Sequence, residues 1–293
     1  MKITIRYIIT LLAICSCAVV GNASTLAAGN SVGNISSAAQ MKKSVKEGAD
    51  LCKSDKLQCI DKAIALNPKA TSLYFYKGVT LNELGQPEEA VRAFDEAIAL
   101  NPKCAYLYFN KGASLNELGK HEEAVRAFDK AIALDSKDFT SYAGKGMALF
   151  FLGKYAEAIE NLDRVLALDP HPGEEIFYFK GLSLAGINKL QESVEAFNIA
   201  ISLNPSFAGA FSEKAKVLFN LEKYRESIES FNKAISLNPQ NANTFYDKGI
   251  VLANLGKYAE AVAAFDKAIS LDPERYKGSE VRQEVLKAME SGK

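Results

Sequence analysis

Two histidines, His121 and His171, and five cysteines are the residues from which this chain would have to build a nucleophilic or metal centre. His121-Glu122-Glu123 lacks the second histidine, four residues on, that a zinc-binding helix needs. Two histidines in all leave a His-dependent triad or a His-based metal site short of parts. Ala143-Gly144-Lys145-Gly146 brings Gly and Lys together, but a phosphate-binding loop needs wider glycine spacing and a Ser or Thr after the Lys, and no dinucleotide fingerprint occurs. The expectation is a chain with no catalytic, metal or cofactor site, and hence not an enzyme.

The cysteines point to a compartment more than to chemistry. Cys15 and Cys17 fall in the first segment and Cys104 stands alone, while Cys52 and Cys59 bracket KSDKLQ. If Cys52 ends one helix and Cys59 lies one turn into the next, a disulfide would staple that corner in an oxidising environment. Two unpaired thiols on a helix face are the equal alternative. The first segment itself opens with Lys2 and Arg6, runs apolar from Tyr7 to Val20 and meets small residues at Gly21 and Ala23. Residues 1–23 therefore read as a secretory signal peptide cut after Ala23. Two other readings stay open: an uncleaved membrane anchor, for which the run is short against the roughly 20 apolar residues of a span, and a lipoprotein site at Ile14-Cys15-Ser16-Cys17. All three export the chain, to a periplasm or beyond the cell. Residues 24–40, rich in Ser, Ala, Gly and Asn, read as a flexible linker.

The body is 293 residues long including that leader, with 48% hydrophobic and 24% charged residues, the composition of an ordinary folded protein. Lys+Arg and Asp+Glu both number 35, so no bulk field directs the chain to nucleic acid or anionic lipid. A partner has to be chosen by local surface.

What positions that surface is a repeat. AVRAFDEAIALNP from Ala90 returns as AVRAFDKAIALDS from Ala124, thirty-four residues later. A terminal proline recurs at Pro68, Pro102, Pro170, Pro205, Pro239 and Pro273, with Ser136 where one more would fall and one extra residue near His171-Pro172-Gly173. Six rows result: 71–104, 105–138, 139–172, 174–207, 208–241 and 242–275. In each, an aromatic, a small residue and a Leu share one helical face, as Tyr74, Gly78 and Leu81 do. A Leu-Gly turn follows at Leu84, Leu118, Leu152 and Leu255, then a second helix striped as Ala90, Phe94, Ala97 and Leu100, ended by proline. Small residues at Gly78, Gly112, Gly146, Gly181, Ala215 and Gly249, and at Ala90, Ala124, Ala158, Ser193, Ser227 and Ala261, permit close helix approach. A single hairpin cannot cover its apolar stripe, so burial must come from stacking. The tail, 276–293, repeats Val281, Val285 and Met289 against a polar outer side, as a solenoid cap requires.

These residues resemble the tetratricopeptide repeat family: aromatic, Gly and Leu, then Ala, Phe, Ala and Pro at fixed offsets over thirty-four residues. The resemblance covers Thr71 to Arg275 as six repeats, with 41–70 as a degenerate amino-terminal repeat and 276–293 as a capping helix. Departures are Ser136 for Pro, Leu162 for the second-helix aromatic, Ala215 for Gly and the extra residue. The fold this implies is all-α, a right-handed superhelical solenoid of antiparallel helix pairs whose first helices line a concave groove.

In that family the inward-facing places of the first helix are mainly the second, fifth, ninth, twelfth and thirteenth. Here they carry Phe75, Val79, Tyr106, Phe109, Met147, Phe150, Phe151, Tyr178, Leu182, Phe219, Tyr246 and Ile250, edged by Asn82, Asn116, Asn220 and Asn254. Such a strip suits an amphipathic helix or an extended peptide; alternatively some of these aromatics tuck between repeats, or the chain's own amino-terminal segment fills part of the groove. The family's clamp for acidic carboxy-terminal peptides is missing, because Phe75, Val79, Thr140 and Gly144 stand where its Lys, Asn, Lys and Arg belong. The seventh place is Lys in every row, at Lys77, Lys111, Lys145, Lys180, Lys214 and Lys248. It reads either as a cationic stripe or, preferably, as a ladder with Asp95, Asp129, Asp163, Asn198, Asn232 and Asp266. The expected function is an exported, non-enzymatic scaffold for a protein or peptide partner. Its rivals are a membrane-tethered envelope assembly factor and a subunit of an enzyme or carbohydrate-binding complex.

Overall fold

Each row becomes two helices because the breakers fall where the apolar stripes end. The structure is a computed structural model and describes residues 56–278 and 280–291. The expected signal peptide or anchor, the linker, and the opening of the degenerate repeat with Cys52 lie outside the described residues. Among the described residues all regular structure is α-helical, and it divides into two compact units at Ser141 and Tyr142.

The first unit contains α1 (Lys56–Leu66), α2 (Thr71–Glu83), α3 (Pro87–Leu100), α4 (Ala105–Glu117) and α5 (His121–Leu134); α6 (Phe139–Phe151) crosses the division. Within it α2 packs along α3 and α4 along α5, while α1 lies against α2 and α3 against α4. The second unit contains α7 (Tyr155–Leu168), α8 (Glu174–Gly186), α9 (Leu190–Leu203), α10 (Ala208–Asn220), α11 (Tyr224–Leu237), α12 (Ala242–Asn254), α13 (Tyr258–Leu271), the single turn α14 (Pro273–Tyr276) and α15 (Glu280–Glu290). Its pairs are α8 with α9, α10 with α11 and α12 with α13, joined by α7 on α8, α9 on α10 and α11 on α12.

The turn inside each pair closes with one hydrogen-bond pattern. In the first unit the backbone N–H of Gln86 donates to Leu81 O and that of Lys120 to Leu115 O, both at 2.9 Å, the six-to-one closure of a helix end. The second unit repeats it at Lys154, Lys189, Lys223 and Lys257. The closure needs one residue with positive φ, which Gly85, Gly119 and Gly153 supply at 73° and Gly256 at 72°. In the two rows without that glycine, Asn188 at 62° and Glu222 at 60° take the same conformation. Asn tolerates it; for Glu it is a strain on the order of 1 kcal/mol.

The seam between paired helices is where stability concentrates. Phe94, Phe128, Phe197 and Phe265 are fully buried and Phe231 is 1% exposed. Each ring lies over the small residue of the preceding helix, and burying one such side chain stabilises by about 1.5–3 kcal/mol. The third pair substitutes Leu162, also fully buried, over Gly146. Where Ser replaces Ala on the second helix the hydroxyl is satisfied across the seam: Ser193 Oγ donates to Gly181 O and Ser227 Oγ to Ala215 O, each at 2.7 Å. At the carboxy-terminal end α15 packs on α13, burying Val285 and half-burying Val281, while Met289 stays 45% exposed.

Candidate functional site

In the first unit Phe75 meets Tyr106 at 5.3 Å between ring centroids, and Tyr106 stacks on Phe109 at 6.1 Å. Phe75 and Phe109 lean in turn on the buried Phe94 and Phe128, at 6.1 and 6.0 Å. This run of rings joins the groove places to the seam, and it costs some of them their exposure. Phe109 is only 8% exposed and belongs to the core, whereas Phe75 and Tyr106 are half-buried. Val79, like Leu57 and Phe75, packs against the buried cluster of Leu81, Ala90, Ala93 and Phe94. Tyr76, one place after Phe75 and absent from the expected strip, is 50% exposed.

The amides of this unit are engaged within the protein. Asn82 Nδ2 donates to Ser114 Oγ at 2.8 Å, and Asn116 Oδ1 lies 3.1 Å from His121 Nδ1. Burial holds the His121 imidazole below its ordinary pKa against the opposing charge of Glu122, which favours the neutral ring donating to Asn116. His121 therefore braces a turn. Cys59 is disulfide-bonded; Cys52, the expected partner, lies outside the described residues. Cys104 is a free, half-buried thiol.

In the second unit Phe150 meets Phe151 edge-on at 5.3 Å and Phe179 at 5.5 Å, with Phe151 41% exposed. Tyr178 meets Phe179 at 5.6 Å and Phe207 at 4.8 Å, and Tyr178, Leu182 and Phe207 pack against the buried cluster around Phe197; Met147 is half-buried. Further along, Phe219 lies on Tyr224, and Tyr246 stacks on Tyr276 at 4.7 Å. Asn220 and Asn254 are exposed, the latter donating to Ile250 O at 2.9 Å.

One polar group here was not among the expected site residues. Lys216 Nζ lies 2.8 Å from Glu213 Oε1 and 3.6 Å from Asp247 Oδ2. Lys216, Asp247 and Asn220 rim a cleft of about 110 Å³ whose walls are Phe219, Phe231, Ile250 and Val251. Burial raises the Asp247 carboxyl pKa, with Lys216 opposing and Glu213 adding to the rise. Burial alone would lower the Lys216 ammonium, but Glu213 and Asp247 outweigh it and hold it above its usual value. The Tyr178 phenol is pushed up to about 12, by burial first and the Glu213 charge second. The sequence held a signal for this group: Lys216 is the one charge at the ninth place of any row, and Glu213 and Asp247 are the only acids at the sixth.

Three lysines of the seventh-place column form ladder pairs. Lys77 pairs with Asp61 at 2.7 Å and Lys111 with Asp95 at 2.6 Å in the first unit; Lys180 pairs with Asp163 at 2.5 Å in the second. Lys180 and Asp163 bracket the extra residue, so the turn between α7 and α8 absorbs it. Arg282 of α15 takes the same place and pairs with Asp266 at 2.6 Å. Asn198 and Asn232 replace the acid in two rows, and burial lowers the pKa of Lys214 and Lys248 there, with Glu226 and Glu260 respectively opposing.

Helix pairs stacked through a small-residue seam, with aromatic first-helix faces, define a helical-repeat interaction protein. The chain belongs to the tetratricopeptide repeat family, whose models match residues 59–92, 81–139, 139–172 and 212–276. No curated protein matches it significantly. Among solved structures it is similar to YrrB, described as a TPR protein with an unusual peptide-binding site, at 26% identity over 68% of this chain and 99% of that one, with a TM-score of 0.54. It is also similar to MamA from Desulfovibrio magneticus RS-1, at 25% identity over 58% of this chain and 95% of that one, TM-score 0.55. The PilF protein of Pseudomonas aeruginosa, 20% identical over 75% of this chain and 98% of its own, TM-score 0.62, shares the fold.

Proposed function

We propose that this chain is an exported, non-enzymatic scaffold that holds a peptide or helix of a partner protein against the aromatic first-helix faces of its repeats. The observation that carries the reading is the exposure of large apolar side chains on those faces, Tyr76 at 50% and Phe151 at 41%, beside half-buried Phe75, Tyr106 and Phe150. Aromatic surface of this kind supplies most of the binding energy in peptide and protein interfaces. Peptide binding by the similar YrrB supports the same reading. Export rests on the leader pattern of residues 1–23, and no helix among the described residues is long and apolar enough to cross a membrane.

The test is binding of the full chain to a positional-scanning library of short peptides, each pool fixed at one residue. Pools fixed at large apolar residues should be retained. Tyr76→Ala and Phe151→Ala should each weaken retention, by up to about thirtyfold where the ring is an anchor, with the helical signal unchanged. Equal retention by parent and both variants, or none by the parent, refutes the reading. Amino-terminal sequencing of the mature protein tests the leader: a start near Ser24 supports release, and a retained Met1 or a lipidated Cys17 moves the scaffold to a membrane.

A further inference from the structure

The cleft on the second unit carries a charge imbalance that its own residues do not resolve. Glu213 and Asp247 bring two carboxylates, 27% and 28% exposed at the side chain, to a single ammonium. Lys216 donates to Glu213 at 2.8 Å and makes a second, longer ion pair with Asp247 at 3.6 Å, so one ammonium is shared between two carboxylates. The remaining cation near Asp247 is Arg275, whose guanidinium sits 5.5 Å over the Tyr276 ring and makes no ion pair with it among the described residues. Half-buried carboxylates without full compensation are costly, and an incoming cation relieves that cost. Burial first, and the Glu213 charge after it, raise the Asp247 pKa against Lys216 and Arg275.

Beside this acidic rim the cleft floor is apolar. Phe231 and Val251 are 1% and 2% exposed, and Phe219 and Ile250 form half-buried walls. At about 110 Å³ it is side-chain sized. For scale, an apolar cavity of about 150 Å³ takes benzene. Asn220 stands at its edge, exposed, with an amide available to a peptide backbone.

We infer that this cleft selects a partner segment in which an aliphatic side chain lies close to a lysine or arginine, the aliphatic group entering between Phe219 and Ile250 and the cation lying against Asp247 and Glu213. The inference rests on the peptide-binding reading above and adds to it a partner class: basic and aliphatic, with acidic segments rejected by the same two carboxylates.

A second library, each pool fixed at two neighbouring residues, distinguishes the two levels. With the parent protein, pools fixed at Leu, Ile or Val beside Lys or Arg should be retained about fivefold better than the same pools beside Glu, the scale of one partly exposed ion pair. Lys216→Gln, which removes the internal competitor, should widen that ratio. Asp247→Asn, which keeps the shape of the side chain, should bring it near unity while the aliphatic preference stays; combining it with Glu213→Gln should abolish it if Glu213 compensates. Circular dichroism confirms that each variant retains the parent's helical content. Retention without charge preference, preference for Glu, or a basic preference that survives the double substitution overturns the inference and leaves the aromatic-face reading standing. Retention of no pool overturns both.

Discussion

Gly112→Ala should destabilise the protein by about 1 kcal/mol, and the nearly identical change Gly146→Ala should not. A methyl placed on Gly112 would lie 2.8, 2.9 and 3.0 Å from Cε1, Cζ and Cδ1 of Phe128. Favourable carbon contacts sit at about 3.5–4.0 Å, so the ring or the helix must withdraw by about half an ångström or more. Phe128 is fully buried, with Phe109 against it at 6.0 Å, and a flat ring presents three atoms to the methyl at once. Overpacking of this kind costs about 1–3 kcal/mol, while exchanging Gly for Ala within a helix returns about 1 kcal/mol of propensity.

At Gly146 the opposing residue is Leu162, with Cγ at 3.0 Å and Cδ2 at 3.1 Å. A branched chain that turns about two bonds yields more cheaply than a ring, so the two contributions nearly cancel and the change should fall within about 0.5 kcal/mol of neutral. The fifth repeat bounds the first case, since Ala215 already lies under Phe231 with both residues buried, so Gly112→Ala should lower stability without unfolding the chain. The assay is guanidinium denaturation followed by far-UV circular dichroism. Amide hydrogen exchange serves as the local readout if the transition splits, as repeat arrays allow. A Gly112→Ala protein as stable as the parent, or a Gly146→Ala protein destabilised to the same extent, would show that the small residues are not selected by the facing ring.

Glu222→Gly should stabilise by about 1 kcal/mol, read as a higher denaturation midpoint, because an exposed residue at φ 60° loses its left-handed strain; a lower midpoint would contradict the turn assignment. Tyr178→Phe should flatten the alkaline stability profile. The native phenol, pushed up to about 12, keeps its proton where the unfolded one near 10 has lost it, so between those values the folded state binds more protons and stability falls as pH rises. The difference between parent and variant across that window is at most about 2.7 kcal/mol, and parallel profiles would refute the burial of the hydroxyl. Mature protein beginning at Ser24 should present one thiol to alkylation before reduction and three after; labelling of Cys59 without reduction would exclude its disulfide.

The architecture was legible because it is written redundantly: six rows state the same period, so Ser136, Leu162 and one extra residue leave it readable. The two turns without glycine were less so: Asn188 is a residue that tolerates the left-handed conformation, but nothing in Leu221-Glu222 announces it. The structure finds it by completing the same six-to-one hydrogen bond at Lys189 and Lys223. The aromatic strip was only partly legible. Period places a side chain on a face but does not say how far a ring reaches toward the seam, and Phe109 reaches into it where Tyr76 does not. Asn82 and Asn116 have the composition of a binding edge and are spent on Ser114 and His121.

Glu213, Lys216 and Asp247 show the opposite limit. They are outliers at their places in the repeat, and outliers in a repeat are where one row departs from the common demands of stacking. In the column of lysines, Lys77, Lys111 and Lys180 answer one structural need, pairing with Asp61, Asp95 and Asp163. A lone lysine at the ninth place answers no such need. Uniform columns thus report how the array holds together, and the breaks in them, once their geometry is known, are where a partner's chemistry is to be sought.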